Sequence, residues 1–318
     1  MKQSKVIFIS LVISLTILPQ YLFSFTKQSK IIGLVQVRNE ENIIEQYLRA
    51  LSCYTDAIVV LDDASSDDSL FIVCSLAEQL NIEKILTQKQ STRESGNESD
   101  NSQLLLKAGR QIGGTHFIVI DADEIFTANC MKNNYLRNQI LSLQTGEKIE
   151  MVWIQLWRDI YHYRCDDSCW SWLYKSIIFC DDKHCSYEKN WLHASRIPQN
   201  LNGKTYRIPG YQYGFMHFQF VNWKNLLIKQ AWYRCLERIR EPDKSSLEIN
   251  KRYAPSKDEK ALKTLSAPKE WFEGYEFLDF SVFNKPVLWR KEQVLNWFIQ
   301  YGKKYFKELD IWDINWEK

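Results

Sequence analysis

The sequence predicts an α/β fold: a mostly parallel, twisted sheet flanked by helices, with a helical and aromatic C-terminal extension. Three observations carry this. The runs Ile31 to Val37, Ala57 to Leu61 and Phe117 to Ile120 are short, apolar and rich in β-branched residues, without polar alternation. Such runs are strands buried on both faces. Between them the apolar residues recur at helical spacing, and strand–helix alternation yields a doubly wound parallel sheet. Each run also ends in a polar cluster: Arg38-Asn39-Glu40-Glu41, Asp62-Asp63-Ala64-Ser65-Ser66-Asp67-Asp68, and Asp121-Ala122-Asp123-Glu124. The carboxyl ends of strands are where open α/β sheets bind ligands.

After the first strand, Ile43, Ile44, Tyr47, Leu48 and Leu51 mark a helix, with Asn39 as its expected cap and Glu40 and Glu41 in its first turn. A second helix is expected from about Asp67 to Leu80, capped by Ser66 or Asp67, then a strand from Ile82 to Leu86. The polar stretch Gln88 to Asn101 reads as a mobile loop. A helix from Ser102 to Ile112 leads through Gly113-Gly114 into the third apolar strand. Beyond Cys130 the pattern predicts a helix over Met131 to Leu143 and a strand over Ile149 to Trp157. Tyr161 to Asn190 is dense in aromatic, Cys and Asp residues and has no clear period. Tyr213 to Phe220 reads as a strand, Asn222 to Arg240 as a helix ended by Pro242, and Glu241 to Lys269 as a linker or flap. A last helix is expected over Arg290 to Phe306.

The i, i+2 spacing of Asp121 and Asp123 sets both side chains on one side of an extended chain. Such a pair can hold a divalent cation through oxygen, and the cation can hold a diphosphate. By itself the pair is equally a surface turn. Capping accounts for Ser66 and Asp67 but leaves Asp62 and Asp63 without a structural task.

The opening strand with R-N-E-E-N, the acidic turn L-D-D-A-S-S-D and I-D-A-D-E at the metal position, in that order, resemble the family-2 glycosyltransferases of the GT-A fold. Ala64 stands where that family usually has glycine. The resemblance covers about Lys30 to Arg240. It implies a GT-A-like catalytic domain over 30–240, with a nucleotide-sugar half (30–130) and an acceptor half (131–240), followed by a linker and helical extension over 241–318. By match, Arg38, Glu40, Asp62, Asp63 and Asp121 would contact the nucleotide, and Asp121 and Asp123 the metal, Mn²⁺ or Mg²⁺. His217 would complete the metal shell, and nitrogen beside carboxylate oxygen suits Mn²⁺ better than Ca²⁺. A hydrogen-bonded core histidine is the alternative. The implied reaction moves a sugar from a nucleoside-diphosphate donor, UDP-sugars foremost, to a hydroxyl of a glycan or lipid-linked saccharide. It would be inverting and non-processive, since the processive Q-x-x-R-W signature is missing. Inversion needs a base; Asp159, Asp166, Asp167 and Glu188 are candidates, with Asp159 narrowly preferred, although the family's E-D pair is absent. His193 and Arg196 are candidates for the acceptor or a phosphate.

Cys165, Cys169, Cys180 and Cys185 have the density of a zinc site or of disulfides in an exported protein, with scattered thiols as the simpler reading. Cys53, Cys74 and Cys235 fall in helical patterns and read as core. A net charge of +2 without a long basic run argues against a nucleic-acid binder. Residues 1–29 hold an apolar stretch flanked by lysines, read as an uncleaved membrane anchor of unresolved side, next as a signal peptide, and third as a mis-set start in a cytoplasmic protein. A non-catalytic sugar- or nucleotide-binding protein and a nucleotidyltransferase are the rival functions. The second usually opens with a glycine-rich phosphate loop, and Val37-Arg38-Asn39-Glu40 stands in its place.

Overall fold

The computed structural model describes residues 29–316. The anchor or signal reading concerns a segment whose residues 1–28 lie outside the described residues. Among the described residues no helix is long and apolar enough to cross a membrane. The first half alternates as expected: β1 (Ile31–Val37), α1 (Ile44–Ser52), β2 (Ala57–Asp62), α2 (Ser69–Leu76), β3 (Ile82–Thr87), α3 (Thr92–Ser95), α4 (Glu98–Gln111) and β4 (His116–Ile118). β3, β2, β1 and β4 lie side by side, all parallel. Every residue of β2 is buried, which is why its sequence shows no alternation.

The second half continues the sheet with mixed polarity. β5 (Glu124–Phe126), α5 (Tyr135–Leu141), β6 (Lys148–Gln155), β7 (His162–Arg164), β8 (Tyr174–Cys180), β9 (Thr205–Arg207) and β10 (Phe215–His217) follow. The order runs β3-β2-β1-β4-β8-β6-β10-β5, with β9 beside the start of β6. β8 is antiparallel to both β4 and β6, and β10 is parallel to β6 but antiparallel to β5. The fold is the expected α/β class, with a mostly parallel GT-A-like sheet flanked by helices. Close approach of α4 to this sheet depends on Gly109, where a Cβ would lie 2.6 Å from the Phe117 ring.

Beyond β10 come α6 (Trp223–Arg240), α7 (Ser246–Tyr253), β11 (Thr264–Ser266) and α8 (Trp289–Tyr301). α6, α7 and α8 share a separate apolar core around Trp232, Ile249, Val294 and Phe306.

Several local expectations change. The stretch read as a mobile loop contains α3 and the first turn of α4, because Asp63 is an internal acceptor for it: Ser91 Oγ (2.7 Å), Thr92 N (2.9 Å) and Asn101 Nδ2 (2.9 Å) all donate to its carboxylate. The linker or flap holds α7, started by a capping box between Ser245 and Glu248. Asn39 does not cap α1. It adopts a positive φ of 52°, and its Oδ1 accepts from Ser66 N at 2.7 Å, tying the first two strand ends together. The helix expected over Met131 to Leu143 shrinks to α5 because Asn133 and Asn134 take left-handed conformations. The segment without period supplies β7 and β8. All eight cysteines are free thiols, and Cys53 and Cys74 are exposed rather than core. Cys165, Cys169, Cys180 and Cys185 form no zinc cluster. Among the described residues the one trio of potential metal ligands within 4.8 Å is Asp181, Asp182 and Cys185. Asp181 there is already held by Nη2 and Nε of Arg110, at 2.7 and 2.9 Å.

Candidate functional site

The acidic turn after β4 is organised by a residue outside the expected set. Glu124 is fully buried. Its carboxylate accepts from the backbone N of Asp121 (2.9 Å), from Trp153 Nε1 on β6 (2.6 Å) and from both terminal nitrogens of Arg196. A buried carboxylate is tolerable only when so completely satisfied. The turn is pinned from the other side by fully buried Tyr47 of α1, whose hydroxyl donates to the Ile120 carbonyl at 2.8 Å.

This fixes Asp121 and Asp123 at the rim. Asp121 keeps 62 % of its side chain exposed and meets Arg196 Nη2 at 2.8 Å. Its carboxyl is pushed up to about 6 by desolvation first, against Arg196 and helped by Glu124 and Asp123. Asp123 is more enclosed. Burial would raise its pKa, but Lys229 and His217 together hold it well below the usual carboxylate range. Its Oδ2 lies 3.0 Å from Lys229 Nζ and 3.5 Å from His217 Nε2.

His217 ends β10, buried against the Trp153 ring at a centroid distance of 4.4 Å. Its Nδ1 lies 2.7 Å from the Oε1 of buried Gln155 on β6, the residue opposite it in register. With Gln155 accepting there, His217 donates from Nδ1 and directs Nε2 towards Asp123. That arrangement is the usual support of a metal-binding imidazole.

Two cavities meet this turn. The larger, of about 660 Å³, includes Gln36, Arg93, Asp121, Trp153, Lys175, His193, Arg196 and Tyr233 in its walls. The smaller, of about 60 Å³, lies on the Asp123 side, bounded by Glu40, Asn222, Lys229 and the segment from Val282 to Arg290. Arg196 remains charged: burial alone would lower its pKa, and Asp121 and Glu124 more than offset that. In Lys175 the proton is loosened, first by burial and then by Arg196. His193 sits at a positive φ of 56° and is pushed down to about 4 by desolvation and Arg252.

At the strand ends, Asp62 is 2 % exposed. One oxygen caps the turn by accepting from Ser65 N at 3.0 Å, and the other has no hydrogen-bond partner. Arg38 donates to Glu94 at 2.6 Å, while its Nε and Nη1 are buried without partners. A donor pair and an acceptor thus stand unsatisfied at the ends of adjacent strands. Glu40 faces Arg290 at 3.1 Å, and its pKa is raised, by burial first and with Asp123 adding, against the pull of Arg290.

The structure therefore gathers Asp121, Asp123, Arg196, His193 and Glu40 around the two cavities, with His217 beside Asp123, while Asp62 and Arg38 line neither cavity. It turns Asp63 inward, and it keeps the expected bases apart. Asp159 accepts from the backbone of Tyr161 and His162 in an exposed turn. Asp166 is locked by Arg164, Ser168 and Ser171. Asp159, Asp166, Asp167 and Glu188 line neither cavity; the carboxylates that do, besides Asp121 and Asp123, are Glu40 and Glu98. Glu124 and Lys229 were not anticipated. Glu124 adjoins the acidic pair in sequence, so its proximity was visible but not its burial. Lys229 gave no signal beyond a charge on an amphipathic helix.

No protein-family model matches the chain, and no curated protein does. Among solved structures, that of S. aureus TarS aligns with 70 % of this chain and 41 % of its own length, at 16 % identity and a TM-score of 0.42. The chain thus spans less than half of that relative. TarS 1-349 from S. aureus in complex with UDP aligns with 88 % of this chain and 83 % of its own, at 13 % identity and a TM-score of 0.40. Glucosyl-3-phosphoglycerate synthase from Mycobacterium tuberculosis, in complex with Mn²⁺, UDP and glucosyl-3-phosphoglycerate, aligns with 41 % of this chain and 45 % of its own, at 20 % identity and a TM-score of 0.29.

Proposed function

We propose that the chain is a glycosyltransferase that uses a nucleoside-diphosphate sugar. The observation that carries the reading is the pairing of Asp123 with His217, with Asp121 on the same turn, at the carboxyl end of a parallel sheet beside a cleft of about 660 Å³. A cavity of this size suits a sugar nucleotide. The unpartnered Asp62 oxygen and the unpartnered Arg38 nitrogens suit uracil, whose N3–H would donate to the one and whose carbonyl oxygens would accept from the other. Entry of a base there requires the Arg38–Glu94 contact to open. Trp153, Tyr187 and Tyr233 give the cleft aromatic faces that fit sugar rings.

The donor set fits a divalent ion of the Mn²⁺ or Mg²⁺ kind. Gln155 engages Nδ1 of His217, so Nε2 faces Asp123 Oδ2, and exposed Asp121 would turn from Arg196 to bring its carboxylate to this pair, from which it now stands apart. These three residues would hold the ion, which would supply Lewis-acid stabilisation to the departing nucleoside diphosphate. The chain's own contribution is to orient the donor with Asp62 and Arg38 and to offer Lys175 and Arg196 to negative charge that builds in the cleft. Inversion at the anomeric carbon, single-sugar transfer and a glycan or lipid-linked hydroxyl acceptor belong to the same reading.

The test is nucleotide release from UDP-, GDP- and dTDP-sugars with Mn²⁺ or EDTA, for the full chain and for its Asp123→Ala variant. The reading expects release from a uridine donor that needs the metal and is lost in the variant. No binding or turnover of any donor by folded protein would refute it.

A further inference from the structure

We propose that Lys229 is an exchangeable counter-ion of the acidic pair: it holds Asp123 while no divalent ion is bound, yields that carboxylate when the ion enters, and then donates to the donor's diphosphate. This rests on the nucleotide-sugar reading above. The Asp123 oxygen that Lys229 touches at 3.0 Å is the same one that stands 3.5 Å from His217 Nε2. The ammonium therefore presses on the atom that an ion shared with His217 would use. Ion and ammonium are both positive, so simultaneous full contact at one oxygen is disfavoured.

Lys229 can leave where Arg196 cannot. Arg196 is bound through two nitrogens to fully buried Glu124, and its departure would strand that carboxylate. Among the described residues the one hydrogen-bond acceptor of Lys229 is Asp123. Its ammonium is a point charge on a flexible four-carbon stem, and it borders the small cavity on the Asp123 side. Displaced from Asp123, it would stay beside the small cavity it borders, on the side of the turn to which an ion on Asp123 would draw the diphosphate of a donor in the large cleft. The diphosphate brings the negative charge that replaces the lost carboxylate.

The test uses the full chain with Mn²⁺, UDP and uridine as probes, and K229M, K229R and K285M as variants. Lys285 lines the same small cavity without contacting Asp123, so K285M measures the effect of lost charge alone. Free Mn²⁺ is followed by electron paramagnetic resonance, and UDP and uridine by calorimetry at saturating Mn²⁺. In the absence of nucleotide, K229M should bind Mn²⁺ about fivefold or more tighter than wild type, within the usual range of couplings between sites. With Mn²⁺ saturating, it should bind UDP about tenfold more weakly, while uridine is unchanged. K229R, which keeps the charge, should stay near wild type, and K285M should move neither constant by more than about twofold. Equal shifts in K229M and K285M would reduce the effect to general field and overturn the exchange. So would Mn²⁺ affinity that falls in K229M, or UDP affinity that does not. If Mn²⁺ and UDP bind wild type in an Asp123-dependent way and K229M alters neither, only the exchange fails. If neither probe binds wild type or K229M, the nucleotide-sugar reading fails with it.

Discussion

Replacing Glu124 with alanine removes the acceptor of four donors at once: the Asp121 amide, the Trp153 indole and two Arg196 nitrogens. Arg196 is left in a largely buried position with Asp121 as its remaining carboxylate partner. Breaking a buried ion pair from one side typically costs about 3–5 kcal/mol, because the other charge stays behind. The four bonds are not additive, so the expected loss lies in that range and not at their sum. Against a total stability of about 5–15 kcal/mol this is a large fraction. Urea unfolding followed by tryptophan fluorescence would read it as a lower midpoint at unchanged slope. Glu124→Gln keeps one oxygen acceptor and the shape, and should fall between wild type and Glu124→Ala. A Glu124→Ala protein within about 1 kcal/mol of wild type would show that Glu124 does not organise the turn, since typical surface changes stay below that.

Asp166 is held near a pKa of about 2: burial opposes this, but the hydrogen bonds of Ser168 and Arg164 win. A carboxylate with a depressed folded pKa stabilises above its unfolded value and loses that contribution as pH falls through the folded one. Asp166→Asn should therefore destabilise at pH 7 and converge on wild type near pH 2, as read by unfolding midpoints across that window; a constant difference would contradict it. Tyr47→Phe should cost about 1–2 kcal/mol in urea unfolding, because the Ile120 carbonyl loses its buried donor. Asp62→Asn should weaken UDP binding by roughly 10- to 100-fold, the worth of a hydrogen bond to a charged group, with little change in unfolding midpoint; unchanged UDP affinity would remove Asp62 from the site.

The first half of the fold, from β1 to β4, was legible because its strands are buried on both faces and leave unbroken apolar runs. The strand-end carboxylates were legible for the same reason, since charge after such a run must lie at a rim. β7, β8 and β9 were not, because aromatic and charged residues there pack against one another without a period: Arg164 lies 4.5 Å from the Trp157 ring centre and pairs with Asp166. The inward turn of Asp63 was invisible because its partners, Ser91, Thr92 and Asn101, lie beyond the next strand and look like loop. Lys229 reaches Asp123 across 106 residues. No local pattern encodes such a contact, which follows only from where α6 docks.

The most direct test of the account is a crystal soaked with Mn²⁺ and UDP, with data collected at the manganese edge. The account predicts an anomalous peak bonded to Asp123 and His217 Nε2 and bridging to the diphosphate, with uracil against Asp62 and Arg38. A peak confined to Asp181, Asp182 and Cys185, or UDP bound away from the acidic turn, would contradict it.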